Sequence, residues 1–411
     1  MYDAIVVGAR CAGSPTAMLL ARKGYRVLLV DRATFPSDSM RLHYIHQAGI
    51  VRLKRWGLLE RLIATNCPPI RERVIDYGDF PLTGRAAPLD GVADAYAPRR
   101  YVLDKLLVDA ACEASAELRE QFSVDALEMD DGQVVGIRGR SAGGAPIVER
   151  ARIVVGADGM HSTVAQSVGA SMYRVGPALA CYYASCWSGV PTVGLEIYWR
   201  EGKVIFVFPT NDARTSIAVA WPHRMFHQVR ADVEGAVMAA RELVSELAAR
   251  VRAGRREEPF VGTADLPSFF RTPYGPGWAL VGDAGYHKDP YLAQGISDAW
   301  RDAELLAEAI DAGLGGRQPL DGALAEYERR RNEEVLPLYE LNCRLASLDP
   351  PSPEQLRLRA ALRNNPDDAE RYFGVNAGTV PFQEFFAPDN LARIIRQAAP
   401  ASARSAEAIP T

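Results

Sequence analysis

The sequence feature that most restricts the fold is a short glycine-bounded segment near the amino terminus. Residues 5–7 are apolar, residues 8–13 are Gly-Ala-Arg-Cys-Ala-Gly, residues 15–22 are helix-like, and residues 26–30 form a second apolar stretch that ends at Asp31. Strand, turn, helix and strand within about thirty residues predict a βαβ unit. We therefore expect an α/β fold built on a parallel sheet.

This turn has the chemistry of a dinucleotide site. Gly8 permits the tight turn, Gly13 permits close helix–strand packing, and free amides at the helix start face a pyrophosphate. Asp31, 18 residues after Gly13, offers a carboxylate to a ribose hydroxyl. Arg10 replaces the usual middle glycine, and we expect its side chain to crowd the phosphates. The pattern does not distinguish NAD from FAD, and glycine also occurs in tight turns that bind nothing.

Two further glycine segments follow apolar strands later in the chain. Residues 153–155 lead into residues 156–162, which are Gly-Ala-Asp-Gly-Met-His-Ser. Residues 282–290 are Gly-Asp-Ala-Gly-Tyr-His-Lys-Asp-Pro, and they continue through Ala293-Gln294-Gly295 into a predicted helix. A helix that starts at this point presents free amides and the positive end of its dipole.

The three segments, in this order, resemble the FAD-dependent monooxygenase superfamily typified by para-hydroxybenzoate hydroxylase, which includes geranylgeranyl-reductase-like flavoproteins. The resemblance spans about residues 1–315 and implies a Rossmann-type FAD-binding domain. In the family, the Asp-Gly motif lies between the FAD pyrophosphate and the passing NAD(P)H, and the aspartate of the Gly-Asp motif binds a ribityl hydroxyl. The proline lies beside the isoalloxazine ring, and the helix start faces its pyrimidine end. Residues 163–166, after Ser162, lack the arginine that the family usually has there.

The resemblance also assigns individual residues to the cofactor. Arg100 is preferred to Arg99 as the arginine that reaches FAD, although either residue could instead pair with acids. His43 is the candidate acid or base, because the pKa of imidazole suits neutral chemistry; a structural role is the alternative. The predicted FAD contacts are Gly8, Cys11, Ala12, Gly13, Asp31, Arg32, Arg41, Arg100, Val124, Asp158, Gly159, Gly282, Asp283, Pro290, Gln294, Gly295 and Ile296.

The middle of the chain predicts a second lobe of α+β type, with an antiparallel, aromatic-rich sheet over residues 181–187, 193–199, 204–208 and 216–221. Helices are expected over residues 101–116, 232–252, 295–312, 320–345, 354–363 and 382–397. We predict a discontinuous FAD-binding domain (1–70, 98–178, 272–315), an interleaved substrate-binding sheet domain (71–97, 179–271), a helical C-terminal region (316–396) and a disordered tail (397–411).

Composition restricts the class of protein. The 411 residues exceed the roughly 250–300 at which a single core stops growing, so more than one domain is expected. The net charge of −4 gives no electrostatic footprint for nucleic acid, and no run approaches the roughly 18 apolar residues of a membrane span. The six cysteines form no C-x-x-C pair or zinc-type cluster. We expect a cytoplasmic protein without a metal site or secretory leader.

The resemblance implies an NAD(P)H-dependent monooxygenase of secondary metabolism or catabolism. NAD(P)H would reduce FAD, and molecular oxygen would supply an atom to a small, flat, largely apolar or aromatic substrate held by the sheet. Phe206 and Phe208 share one face of their strand, and together with Trp221 they are the predicted substrate wall. No second dinucleotide fingerprint is present, so NAD(P)H binds transiently or a separate flavin reductase delivers reduced flavin.

Four other functions stay open. A geranylgeranyl-reductase-like enzyme would reduce an isolated double bond. Flavin-dependent halogenases typically pair a Trp-x-Trp-x-Ile-Pro segment with an active lysine, and neither is recognisable in this sequence. A flavin-holding protein without turnover and a purely nicotinamide-dependent dehydrogenase are the remaining alternatives.

Overall fold

The computed structural model describes residues 1–37 and 43–398. The strands in this part of the chain are β1 (Tyr2–Val7), β2 (Val27–Val30), β3 (Pro69–Ile70), β4 (Glu72–Asp76), β5 (Pro81–Gly84), β6 (Ala95–Tyr96), β7 (Glu117–Arg119), β8 (Phe122–Asp130), β9 (Gln133–Ser141), β10 (Ile147–Gly156), β11 (Met172–Gly176), β12 (Ala180–Ser188), β13 (Gly194–Arg200), β14 (Lys203–Thr210), β15 (Arg214–Pro222), β16 (Arg255–Arg256), β17 (Val261–Thr263), β18 (Ser268–Arg271), β19 (Tyr274–Gly275), β20 (Trp278–Leu280) and β21 (Tyr286–His287).

The α-helices of the same residues alternate with these strands and then dominate the last quarter of the chain. They are α1 (Gly13–Arg22), α2 (Gln47–Arg55), α3 (Leu59–Ile63), α4 (Arg100–Glu113), α5 (Thr163–Ser167), α6 (Phe226–Ala231), α7 (Val233–Glu242), α8 (Ser245–Ala253), α9 (Gly295–Leu314), α10 (Leu320–Ala346), α11 (Pro353–Leu362), α12 (Pro366–Ala377), α13 (Phe382–Phe385) and α14 (Pro388–Ala398).

The predicted βαβ unit forms the centre of a sheet whose parallel part has the order β20-β10-β1-β2-β7. Numbered along the chain, these strands are the fifth, fourth, first, second and third, which is the order of doubly wound dinucleotide-binding folds. The order reverses between β1 and β10. The loops after these two strands therefore open a crevice at their carboxyl ends, where such folds bind ligands.

The central strands are buried on both faces, which explains their continuous apolar sequence. Val6 faces a core that includes α1, α4 and α9, with Trp300 fully buried. Ile5 and Val7 face the opposite core, which is shared with the β8–β9 hairpin and α5. The α/β class expected from the sequence is confirmed.

The second large sheet has the order β16-β12-β15-β14-β13-β4-β5, with β17 also paired to β12. The four strands predicted from their aromatic alternation pair antiparallel. The sheet is mixed rather than purely antiparallel, because β4 pairs parallel to β13. One face packs under α6, α7 and α8. The other face carries Tyr182, Phe206 and Phe208 and packs against loop residues that include Tyr44, Ala97 and Tyr291.

Two helix predictions need correction, and α12 was missed. The helix expected over residues 232–252 is interrupted at Val244, which is extended, so that α7 and α8 are separate. The helix expected over 382–397 is interrupted before Pro388, because proline restricts the residue that precedes it and lacks an amide hydrogen. Helix α12 was not predicted, although Asn365 caps it and Gly378 ends it in the left-handed conformation.

The predicted C-terminal tail can be compared with the structure only at its first two residues. Gln397 and Ala398, assigned to the tail, are the last residues of α14, and the rest of the predicted tail lies outside the described residues. In the described ranges, we find no helix with the length and apolar character that crossing a bilayer would require.

Candidate functional site

The first glycine segment forms a turn that tolerates no side chain at either end. Gly8 has φ of +101°, and a Cβ atom there would lie 2.5 Å from the Ala157 carbonyl oxygen. A Cβ atom at Gly13 would lie 1.7 Å from the Gly8 carbonyl oxygen. The backbone of the first segment therefore lies directly against that of the second.

Asp31 lies at the carboxyl end of β2 beside this turn. The Ala9 amide donates to its Oδ2 at 2.7 Å, and the Ala33 amide donates to its Oδ1 at 2.8 Å. The Phe122 amide donates to the Asp31 carbonyl at 2.9 Å, which brings Val124, two residues further along β8, to the same end of the sheet. Arg32 is solvent-exposed. The predicted adenosine end thus has one fixed carboxylate.

Asp104, fully buried on α4, organises the cations near the first turn. Arg10 donates to its Oδ2 at 2.9 Å and to the Ser37 hydroxyl at 3.0 Å, so the guanidinium expected to crowd the phosphates is held by two protein partners. Arg100 donates to both oxygens of Asp104, at 2.9 Å and 3.1 Å. The sequence analysis did not select Asp104.

Cys11 and Arg100 are buried in this cluster. Burial raises the pKa of the Cys11 thiol to about 12, so the thiol stays protonated and donates weakly to Asp104. Burial opposes the charged form of Arg100, yet its interactions with Cys11, Asp104 and Asp283 hold its pKa above the ordinary value. Arg100 therefore stays cationic between the first and third segments.

Asp158 of the second segment accepts hydrogen bonds at the start of a short helix, α5. The Ser162 hydroxyl donates to Asp158 Oδ1 at 2.5 Å, and the Thr163 amide donates to its Oδ2 at 2.7 Å. Burial raises the pKa of Asp158. Gly159 has φ of +85° and open space around a would-be Cβ atom. Gly159, not the engaged carboxylate, thus leaves room for a ligand here.

The third segment approaches the first as closely as the second does. Gly282 has φ of +61°, and a Cβ atom there would lie 2.8 Å from the Cβ atom of Ala12. Asp283 follows it and is partly exposed. Within residues 1–37 and 43–398, no hydrogen-bond donor reaches the Asp283 carboxylate. This carboxylate is available to a ligand hydroxyl.

Arg271, at the end of β18, joins the second and third segments and was missed by sequence reasoning. Its Nη1 donates to the Ala284 carbonyl at 2.9 Å and its Nη2 to the Met160 carbonyl at 3.0 Å. Arg271 is buried, so these bonds fix two loops that are far apart in sequence. Residues 163–166, after Ser162, lack an arginine. Arg271 on β18 instead brings a guanidinium group to the second segment.

The turn before α9 and the start of that helix present free amides. Pro290 begins a 3-10 turn and Ala293 has φ of +52°. No side chain caps α9, and a Cβ atom at Gly295 would meet nothing within 4 Å. The Gln294 side chain donates to the Asn376 carbonyl at 2.8 Å, so its amide group is engaged with α12. Ile296 is buried.

A small cavity lies beside this turn, on the face of the second sheet that carries Phe206 and Phe208. Tyr291 lies edge-on to Phe206, with ring centroids 5.6 Å apart. Side chains of the turn and of the sheet thus enclose one apolar space. Its wall includes Tyr44, His46, Phe206, Phe208, Pro290 and Ala293.

Trp221 does not belong to this wall, and that prediction is corrected. It packs in the core under α6, α7 and α8 together with Ile205 and Val219, whereas Phe206 and Phe208 pack in the core on the other side of the sheet. Alternate residues of a strand face opposite sides, and the register pairs Ala220, not Trp221, with Val204.

His43 lies at the edge of the same region. The Thr210 hydroxyl donates to the Ala97 carbonyl, so His43 Nε2 donates to the Thr210 oxygen, at 3.1 Å. The imidazole lies edge-on to Phe208 at 5.6 Å between ring centroids. The role of His43 as an acid or base near the flavin stays a prediction. Arg41 lies outside the described residues.

Asp289 is a buried acid between the third segment and the second sheet. The Tyr182 hydroxyl and the Tyr291 amide donate to its Oδ1, while its Oδ2 has no partner in the described part of the chain. Burial raises the pKa of Asp289 to about 6, with Tyr182 opposing the shift. The sequence analysis did not select this residue.

Together these features fit one extended dinucleotide. Residues 1–337 match the FAD binding domain family. The chain belongs to that family. The resemblance inferred from the three segments is therefore confirmed. The crevice between β1 and β10 is the predicted place of FAD, with the Asp31 carboxylate predicted at one end of the cofactor and the free amides at Gly295 at the other.

Relatives of this FAD binding domain protein have several activities. Menaquinone reductase from Mycolicibacterium smegmatis is 29% identical over 341 residues, 76% of each chain. The myxobacterial chondrochloren halogenase CndH has a TM-score of 0.78 and 22% identity, covering 97% of this chain and 96% of its own. PqsL from Pseudomonas aeruginosa, a probable FAD-dependent monooxygenase, has a TM-score of 0.70 and 21% identity, covering 92% and 100%. These two structures support the fold.

Proposed function

We propose that the protein is an FAD-dependent monooxygenase that oxidises a small, largely apolar organic substrate with molecular oxygen and NAD(P)H. The observation that supports this most is the cavity in which Phe206 and Phe208 lie opposite Pro290 and Ala293, the turn expected beside the isoalloxazine ring. An apolar wall at that position suits a substrate without polar contacts along its length.

Bound FAD supplies the redox chemistry, and the protein supplies position, electrostatics and exclusion of water. The start of α9 has no side-chain cap, so its free amides and positive dipole end would stabilise negative charge at the pyrimidine edge of a flavin bound beside it. Phe206 and Phe208 exclude water from the same space. Asp289, hydrogen-bonded to Tyr182, holds a proton at mildly acidic pH, below its pKa of about 6.

A second candidate is reduction of a carbon–carbon double bond. The similarity to a reductase, menaquinone reductase, over three quarters of this chain favours a reductive rather than an oxygenating reaction. The halogenase alternative gains less support. The chain's lysines are Lys23, Lys54, Lys105, Lys203 and Lys288, all of them described, and none lines the cavity. Lys288, the buried one, donates to Asp298 at 2.5 Å.

The test is a substrate screen with the FAD-loaded protein, scored by NADH or NADPH oxidation above the rate without substrate, under isotopically labelled oxygen gas. A stimulated rate and one labelled oxygen atom in the product are expected. A product that gains two hydrogens and no labelled oxygen would contradict the monooxygenase proposal and support double-bond reduction. If turnover requires a separate flavin reductase, the proposed electron donor is wrong, but the proposed oxygenation is still supported.

A further inference from the structure

A larger chamber adjoins the cavity beside the 290–296 turn. It has a volume of about 140 Å³ and lies between the second sheet and the C-terminal helices α10, α11 and α12. Most of its wall is apolar and includes Leu338, Leu341, Leu345, Leu358, Leu362 and Tyr372. The chamber and the smaller cavity share Leu195, Ile197, Tyr291, Leu292 and Asn376, so the two spaces are neighbours.

Arg73, on β4, is a buried cation in this apolar wall. It is 4% exposed, and its Nη atoms donate to the Phe373 carbonyl at 2.8 Å and to Gln47 Oε1 at 3.3 Å. In residues 1–37 and 43–398, no carboxylate lies within ion-pair distance of Arg73, and its Nε has no acceptor. A buried charge without a counter-ion costs several kcal/mol, so proteins rarely leave one unpaired.

The second arginine of the chamber has the opposite environment. Arg359 pairs with Asp79 at 3.1 Å and lies over the Tyr77 ring at 4.0 Å. Its charge is compensated by protein groups. Arg73 therefore gives the described chamber wall one positive charge that lacks a protein counter-ion.

Two further polar atoms near Arg73 lack partners in the described residues, the Tyr44 hydroxyl and His46 Nδ1. His46 Nε2 donates to the Leu292 carbonyl at 2.8 Å, so Nδ1 is the acceptor nitrogen of a neutral ring. Burial, with the charge of Arg73 adding to it, lowers the pKa of His46 to about 3. Both side chains line the smaller cavity.

We infer that the chamber binds an apolar carboxylic acid, whose carboxylate pairs with Arg73 and whose apolar part lies among the leucines. The inference rests on the proposed function, since it names the substrate class of that site. One uncompensated guanidinium matches a monoanion better than a phosphate, and a fork of N–H donors suits a carboxylate. The Tyr44 hydroxyl offers the anion a second donor.

The test measures binding, not turnover. Decanoate, naphthoate and their primary amides are titrated into the FAD-loaded protein by calorimetry. Because a charge-assisted hydrogen bond contributes about 1.5–3 kcal/mol, each acid should bind about 10- to 100-fold more tightly than its amide. Arg73→Met should remove this preference, Arg73→Lys should restore part of it, and Tyr44→Phe should weaken only the acids.

Arg85→Met is the matched control, because Arg85 lies after the next strand, is 64% exposed and pairs with Glu72. Equal binding of acids and amides to the wild type would overturn the inference, and that result does not depend on whether Arg73→Met folds. A preference for acids that survives Arg73→Met would also overturn it. Acid binding without any oxygenated product would leave this inference standing and remove the monooxygenase proposal.

Discussion

The two most buried acids near the site differ in what surrounds them. Asp104 has Arg10 and Arg100 within hydrogen-bond distance, so its charge is paired in the interior. Asp289 has one hydroxyl and one amide as donors, no ion-pair partner in the described part of the chain and one oxygen without a partner. A carboxyl group in such surroundings prefers to be neutral.

The pKa of Asp289 gives a prediction for stability against pH. Its value is about 6 in the folded chain and 3.8 ordinarily, so between these values the folded chain holds a proton that the unfolded chain has released. The stabilisation is present in full below the ordinary value and is lost as pH rises through 6. Relative to Asp289→Asn, the wild type should lose about 2 kcal/mol of unfolding free energy from pH 4 to pH 7.

Urea unfolding of both proteins across this pH range measures the effect. The comparison with Asp289→Asn cancels the titration of the other acids, which the two proteins share. A difference between the two proteins that does not change with pH would show that Asp289 titrates normally and that burial does not keep it neutral.

Among the helices, α9 is the one whose first residue we most clearly expect to contact the flavin. Its first residue, Gly295, has open space where a Cβ atom would be, and we expect bound flavin to fill that space. Gly295→Ala should leave the unfolding free energy unchanged or raise it by up to about 1 kcal/mol, because alanine favours helix. FAD affinity should fall about tenfold or more, since overpacking costs about 1–3 kcal/mol.

Gly322→Ala is the matched control, because Gly322 lies near the start of α10, is exposed and also has nothing within 4 Å of a would-be Cβ atom. Thermal unfolding and FAD titration of the two variants separate helix propensity from contact with the cofactor. Unchanged FAD affinity in Gly295→Ala would place the ring away from this helix.

The elements predicted well from sequence are those whose signals are local. The βαβ unit and α10 each combine apolar periodicity with a glycine or a polar turn at the end. Helix α12 has such local signals as well: an asparagine cap, Pro366 at its start and acids in its first turn. These signals are sufficient to predict it from sequence.

Features that depend on contacts distant in sequence could not be predicted in the same way. The face on which Trp221 lies is fixed by its register with β14, and Arg271 matters because it contacts two loops, one of them about 110 residues away. The charge of Arg73 has consequence only because the fold buries it without a carboxylate in the described part of the chain. No local sequence pattern around these residues indicates which residues they contact.

At the scale of the molecule, three segments separated by more than a hundred residues meet at the crevice between β1 and β10. The first lies against the second at Gly8 and against the third at Ala12, and Arg271 joins the second to the third. The second sheet and the C-terminal helices then enclose the apolar space beside the 290–296 turn. Cofactor and substrate would therefore be bound by parts of the chain that must all fold together.

The most direct test is titration of the cofactor-free protein with FAD, followed by flavin fluorescence, in the wild type, Asp283→Ala and the control Asp265→Ala. Asp265 is an exposed acid, 75% accessible and 3.6 Å from His161. We predict one FAD per chain, with affinity about 10- to 100-fold lower in Asp283→Ala alone, because one charge-assisted hydrogen bond is lost. No saturable FAD binding, or equal affinity in all three proteins, would contradict the convergence of these segments on one flavin.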